Sequence, residues 1–439
     1  MNKIKISKKL LKKIKNGDFY FILLNLFLFI QVFSESQLNE SFFLYNLFYY
    51  LRLFVLASLA IQAFLMIEWQ NVFRMPIRGM TIYRKFIILC IILILINTVM
   101  CHGGQNLLSL LFIVIASKRR SLKKIFKHTL ISLASAHIVV IFLCLFGFIK
   151  DDIAVRWIGN VTGSLFEGEY VRHAFGFLHS NQLPLVYMLL LFMYVAIRAE
   201  RFTIGETVFA AIFNYIIFKY CGSRISFMLV FAFLACFWLA RNFTGDIGKR
   251  KNWLLLGYIV YPAAFFVSLI LAYAYKEGTM FWTYVNLVFN NRLNFAHKLL
   301  SVYPISLFGY GKYAGTYSGL GEATADNGYV LLFLQAGLLL SVMIIILHEY
   351  IMHICIKKKC TPLVLCLIFV AIENLINAHM PSYKLIPLYC ILVNSQDTLL
   401  DCKGWKNRKQ IELINKLKYI SGKIGFKVRE IWESKRGIK

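Results

Sequence analysis

The feature that most constrains this chain is a succession of long apolar runs separated by short clusters of Lys and Arg. A helix needs about 20 apolar residues to cross the hydrocarbon core of a bilayer, with tolerance down to roughly 17 where flanking side chains snorkel. Runs that meet or approach this length occupy 18–34, 42–66, 85–101, 104–117, 127–149, 182–198, 203–220, 223–240, 253–275, 327–348, 361–378 and 381–396. The fourth is short and the last is interrupted by polar residues. The expectation is an all-α, polytopic transmembrane bundle of about twelve spans. Three regions follow: a basic N-terminus over 1–17, a membrane domain over 18–396 and a basic tail over 397–439.

Composition supports a lipid solvent. The chain is 59% hydrophobic and only 16% charged, whereas ordinary soluble domains are about half apolar and about one quarter charged. A formal charge of +28 invites comparison with nucleic-acid binders. The cations sit in short clusters between apolar runs, however, which is the pattern that orients membrane helices. No nucleic-acid partner is expected. His348, His353, Cys355 and Cys360 lie close together but flank Lys357, Lys358 and Lys359, which would repel a metal ion. Neither metal nor cofactor is expected.

Letting the loops alternate sides sorts the charge. One set holds the N-terminus, Arg74 to Lys85, 117–127, 198–201, 241–251, 357–359 and the tail, with about 38 of the 49 basic residues. By the positive-inside rule this set is cytoplasmic, both termini included. The cluster from Lys3 to Lys15 resembles a signal-peptide start, but no small-residue cleavage site follows, so it reads as an uncleaved anchor. In the tail, Ile411, Ile414, Leu417, Ile420 and Ile424 recur at helical spacing among lysines. That spacing predicts a basic amphipathic helix on the inner leaflet. The outward set includes two long loops, 150–181 and 276–327, where function is expected to reside.

Candidate residues cluster on that outward side. Arg224 opens a span, and Arg292 lies in the late loop. An ionisable group at membrane depth marks a functional site by default, the alternatives being a snorkelling anchor or a surface charge. With Arg172 and Lys312 they would form a cationic pocket suited to a diphosphate at headgroup level, because guanidinium forks bind phosphate oxygens in pairs. His179 and Asn181 precede a span, where Ser180 or Asn181 could instead cap the helix, and His379 lies at an external helix end. Asp151 and Asp152 read as a solvated loop start. Gly309, Gly311 and Gly315 do not have dinucleotide-fingerprint spacing, so a close backbone approach or a turn explains them better. Glu373, Asn374 and Asn377 fall within or beside the eleventh span, lining a path or pairing internally.

Four elements in this order resemble the polysaccharide polymerase and O-antigen ligase superfamily (Wzy/WaaL-like) of bacterial envelopes. They are Gly222-Ser223-Arg224 opening a span, Asn291-Arg292-Leu293 in a late external loop, Phe308-Gly309-Tyr310-Gly311, and Asp326-Asn327-Gly328-Tyr329 running into the next helix. Phe177 to Asn181 is similar to the family's short element before a middle span. The resemblance implies a glycosyltransferase of the cell membrane that acts on polyprenyl-diphosphate-linked oligosaccharides. It would polymerise repeat units for capsule, exopolysaccharide or O-antigen without a cofactor, alongside a flippase and a chain-length regulator. Ligases of the family tend to carry a His-Asn pair where this chain has Asp326-Asn327, which favours polymerase over ligase. In this reading Arg224 and Arg292 stabilise the leaving diphosphate and Asp326 or His379 is the general base. Arg172, His179, Asn181, Lys312, Asn327 and Tyr329 then contact substrate. Asp326 as a helix N-cap is the competing role. A ligase, or a flippase or other transporter, is the alternative function.

Overall fold

The computed structural model describes residues 17–67, 82–101, 105–158, 168–243, 254–289, 292–311, 316–317, 323–324, 326–377 and 380–400. They form an all-α bundle with two small β-hairpins set into its loops. The first helices are α1 (Gly17–Ser34), α2 (Phe42–Met66), α3 (Ile82–Cys101), α4 (Gln105–Ala116) and α5 (Leu122–Leu145). Strands β1 (Ile153–Ile158) and β2 (Gly168–His173) follow as an antiparallel pair, with Ile153 opposite His173 and Ile158 opposite Gly168. Next come α6 (Gln182–Arg198), α7 (Ile204–Cys221), α8 (Arg224–Phe243) and α9 (Gly257–Ala274). The late loop carries α10 (Met280–Val288), α11 (Arg292–Val302) and the small pair β3 (Thr316–Tyr317) and β4 (Ala323–Thr324). The chain then runs through α12 (Gly328–Lys357) and α13 (Thr361–Glu373).

Six helices, α2, α5, α7, α8, α9 and α12, are long and apolar enough to cross a membrane. Shorter apolar helices cover Asp18–Ser34, Ile88–Val99, Leu107–Ala116, Gln182–Arg198, Thr361–Glu373 and Tyr383–Leu392. Each falls on one of the twelve runs read from the sequence. Only 22% of the apolar window of α2 is buried inside the protein, against 61% for α12. Phe42, Phe54, Phe209, Met228 and Phe266 all point outward. A helix apolar on every side needs apolar surroundings on every side. For the peripheral helices those surroundings are lipid, whereas α12 is the centre of the packed core.

Boundaries follow local chemistry. Helix α7 opens on a capping box, in which Thr203 Oγ1 accepts from Glu206 N at 3.2 Å while Glu206 Oε2 accepts from Thr203 N at 2.7 Å. It closes on Gly222 at φ 65°, the left-handed turn that lets the chain reverse into α8. Helix α5 starts at Leu122 rather than 127 and absorbs three lysines into its first turns, as long stems that snorkel allow. The twelfth run is not a regular helix. It is a series of short 3₁₀ and α turns over Tyr383–Leu392, with Pro387 in the first turn of the short α segment.

The largest departure from a plain bundle lies in α12, which is broken at Gly337 (φ 76°, ψ 175°). The segment 306–311 of the late loop enters this break. Tyr310 N donates to Leu334 O at 2.8 Å, Gly311 N to Gln335 O at 3.2 Å, Leu338 N to Ser306 O at 2.9 Å and Leu339 N to Leu307 O at 3.2 Å. Asn97 of α3 adds a bond from Nδ2 to Phe308 O at 2.8 Å. Backbone groups released by a break at membrane depth must find protein partners, and here they do. The close backbone approach expected of the glycine-rich stretch is thus real. A Cβ on Gly309 would lie 2.4 Å from Gln335 O, and one on Gly337 only 2.3 Å from Gly309 N.

Contacts sort the molecule into two ends. One end gathers the C-termini of α1, α7 and α13, the N-termini of α6, α8 and α12, and the two long loops. The other gathers the basic turns: Asn394 bonds Ser117, Arg241 bonds the Phe202 and Glu200 carbonyls, and Lys358 reaches Gln396. The basic N-terminus, most of the Arg74 to Lys85 loop and the amphipathic tail lie outside the described residues.

Candidate functional site

The first end is a polar floor built from three linked knots. The first is centred on Arg292, the opening residue of α11, which is only 8% exposed. Its Nε lies 3.3 Å from Asp326 Oδ2, and its Nη1 donates to Asn377 Oδ1 at 2.7 Å and to the Ile376 carbonyl. The guanidinium therefore closes the C-terminal end of α13, where carbonyls without helical partners favour a cation. Asn377 Nδ2 passes the connection on to Glu373 Oε1 at 2.5 Å. Glu373, Asn374 and Asn377 are all buried, and Glu373 and Asn377 pair internally. The Asp326 side chain remains 46% exposed beside its arginine, so the knot presents a carboxylate outward and buries its cation.

Asn327, not Asp326, is the N-cap of α12. Its Oδ1 accepts from Tyr329 N at 2.9 Å and Val330 N at 3.1 Å, and its Nδ2 donates to Leu375 O and Ser268 Oγ. This corrects the alternative of Asp326 as the helix cap: one residue later in the chain, the amide can both accept from the helix and donate to its neighbours. Tyr329 is fully buried and its hydroxyl donates to Ala371 O. Gly328 allows the close approach, because a Cβ there would meet Asn374 Oδ1 at 2.8 Å. Asn327 and Tyr329 thus spend their polar groups on the protein and build the floor.

The second knot is centred on Glu35, just past the end of α1. A single oxygen, Oε2, accepts from Gln182 Nε2 at 2.7 Å, Tyr383 Oη at 2.8 Å and Lys384 Nζ at 2.9 Å. Lys384 is a nearly buried cation, 5% exposed at its side chain, whereas Glu35 is 35% exposed. Its other oxygen has no hydrogen-bond partner among the described residues. The result is a half-buried carboxylate held in one orientation, with its second oxygen unpartnered among the described residues. Arg292 and Lys384 both act electrostatically on Glu373, which joins this knot to the first.

The third knot holds the early loop. Arg172 of β2 donates from Nε to Cys221 O at 2.8 Å and from Nη2 to Asn181 Oδ1 at 2.5 Å. Asn181 stands at the N-cap position of α6 but its side chain is occupied by this bond and makes no cap hydrogen bond, which corrects the helix-cap alternative for Asn181. Asp151 is no solvated loop start either. It accepts from Ala174 N and Phe175 N at 2.9 and 2.7 Å and pairs with His173 at 2.7 Å, pinning the hairpin's return. His179 and Arg224 stand exposed, and Arg224 has no hydrogen-bond or ion-pair partner among the described residues.

Of the ten residues expected at the site, Arg292 and Asp326 meet directly and Arg172 meets Asn181. Asn327 and Tyr329 lie beneath the first pair, while Arg224 and His179 project freely. Lys312 and His379 lie outside the described residues. The expected pocket of four cations is therefore partly dissolved: Arg172 and Arg292 are tied to helix C-termini, and Arg224 is the one whose fork is uncommitted among the described residues. Sequence reading missed Glu35, Gln182, Tyr383 and Lys384. The usable signal was a Tyr-Lys pair inside the last apolar run, facing a lone Glu at the end of the first. No family model matches the chain, and neither does any curated protein or solved structure.

Proposed function

We propose that this chain is a multi-pass glycosyltransferase of a bacterial cell membrane, with about twelve spans and both termini cytoplasmic. In this reading it polymerises polyprenyl-diphosphate-linked oligosaccharide repeat units at the outer face. The observation that supports the reading is the sharing of one bundle end by a guanidinium, Arg224, and an oriented carboxylate, Glu35, each with polar atoms uncommitted among the described residues. The described basic turns, 117–121, 198–201 and 357–359, lie at the other end, which supports reading this face as the outer one under the positive-inside rule.

The chemistry needs those two functions. The hydroxyl of the acceptor sugar attacks the anomeric carbon of the growing chain. The bond from that carbon to the diphosphate oxygen breaks, the electron pair leaves with the diphosphate, and the hydroxyl proton passes to a carboxylate. Glu35 Oε1 supplies that acceptor, and Asp326 is the second carboxylate within the same floor. Arg224 neutralises the charge that grows on the leaving group, and Arg292 fixes the floor and the Asp326 orientation. A polyprenyl tail finds the apolar flanks it needs in the surrounding bilayer. A flippase and a chain-length regulator are the expected partners.

Purified protein in liposomes, given lipid-diphosphate-linked repeat units, should produce a ladder of extended chains. Absence of extension by well-folded protein would sink the reading. Single transfer to a non-glycan acceptor would place it with ligases. A transporter is the second reading, favoured by the broken helix α12, since transporters build sites at such breaks. Segment 306–311 fills this break with protein, however, and satisfies its backbone. Accumulation of unpolymerised units outside a deletion strain would exclude a flippase, because flipping precedes that pool.

A further inference from the structure

At the opposite end of the bundle, the turn 117–121 between α4 and α5 packs against the segment 393–397. Between them lies an open cleft of about 410 Å³ whose walls include Lys118, Arg119, Arg120, Asn394, Gln396 and Asp397. The cationic turn is braced from behind. Asn394 Nδ2 donates to Ser117 O at 3.0 Å and Ser117 Oγ at 3.2 Å, across 277 residues of sequence. Arg120 N donates to Ser117 O at 2.9 Å. The acidic wall residue Asp397 is held in place by Leu122 N and Leu399 N, which donate to its two oxygens at 2.9 and 2.8 Å, while Asp18 acts electrostatically on Arg120. Lys358 Nζ reaches Gln396 Oε1 at 3.5 Å and brings a fourth cation to the rim. Arg119 is exposed and held at φ 64°, a left-handed conformation that is uncommon for a residue other than glycine and persists only where its surroundings impose it.

We propose that this cleft is a binding site for a phosphate-bearing anion, either the headgroup of an anionic lipid in the adjacent leaflet or a soluble phosphoester. Orienting the helices requires only that basic residues lie near the ends of the spans. It does not require three consecutive cations to be set around a cavity by a braced turn. Guanidinium forks match phosphate oxygens bidentately. The volume is far larger than a bare ion needs and falls in the range of sites for small organic ligands. Basic recesses at this level of a membrane protein meet lipid headgroups directly. The site is independent of the glycan chemistry at the other end.

Thermal unfolding of the full chain in a neutral detergent tests this at fixed ionic strength. The probes are short-chain phosphatidylglycerol, phosphatidylcholine as control, and pyrophosphate. Phosphatidylglycerol should raise the melting midpoint by roughly 2–4 °C, and Lys118→Gln/Arg119→Gln should raise its half-saturating concentration about tenfold or more. Lys123→Gln/Lys124→Gln removes the same charge from the exposed start of α5 and should leave the response unchanged. A pyrophosphate response that the cleft variant also weakens would assign soluble phosphoesters to the site, whereas a response to phosphatidylglycerol alone would assign the lipid. Equal loss in both double variants would show general surface electrostatics and overturn the proposal, as would no shift with either anion.

Discussion

Glu35 and Arg292 show how different the work of two charged residues on one floor can be. Glu35 is anchored through one oxygen and free at the other, so Glu35→Gln keeps the shape but removes the proton acceptor. Chain extension should fall by about 10²–10⁴-fold, and the melting midpoint should also drop, because nearly buried Lys384 loses its counter-charge; full activity in this variant would transfer the role to Asp326. Arg224→Lys keeps a point charge but loses the fork, and extension should drop by roughly 10²-fold without loss of stability. Arg292→Lys differs because a single ammonium cannot serve Asp326, Asn377 and the Ile376 carbonyl together. It should cost about 1–3 kcal/mol of stability in addition to activity, read as a lower melting midpoint. The sequence marked both arginines as among the few cations expected on the outward loops, and Asp326 by its place ahead of Asn327-Gly328-Tyr329. It did not mark Glu35, whose meaning depends on Lys384, 349 residues away. No local pattern records such a pair.

Among the elements, α12 carries the most information. Its apolar run reads as one uninterrupted helix, yet Gly337 adopts a φ/ψ combination reserved almost entirely for glycine. Gly337→Ala and Gly309→Ala should each destabilise the protein by at least about 2 kcal/mol, because both the backbone conformation and the contact between segments forbid a Cβ. Thermal unfolding in detergent checks this, and a melting midpoint unchanged by Gly337→Ala would show that the break is not maintained. Hydropathy reports whether a segment is apolar and says nothing of which other segment fills it. That explains why the twelve runs were legible while the break and the hairpin β1–β2 were not. The glycine-rich stretch 308–311 did announce a close approach, but its partner was hidden in a helix.

Across the whole molecule, charge sorting and packing agree on two ends. Asp152→Cys should react with a membrane-impermeant maleimide in intact cells above the background of the native cysteines, and Lys123→Cys only after permeabilisation. Labelling of both from one side would refute the sidedness. Two features of the floor also differ in time. The chain is made from N- to C-terminus, and segment 306–311 emerges before residues 334–339 that it joins, so α12 meets its insert on arrival. Arg292 completes its partners later: Asp326 precedes α12, but the acceptors Ile376 and Asn377 lie 84 and 85 residues downstream. Until α13 is in place, that guanidinium has only the half-exposed Asp326 as a partner and is costly to bury. The late loop therefore docks as one of the last events of biogenesis. A chain released after residue 360 should leave 280–302 open to external protease, which the finished protein resists.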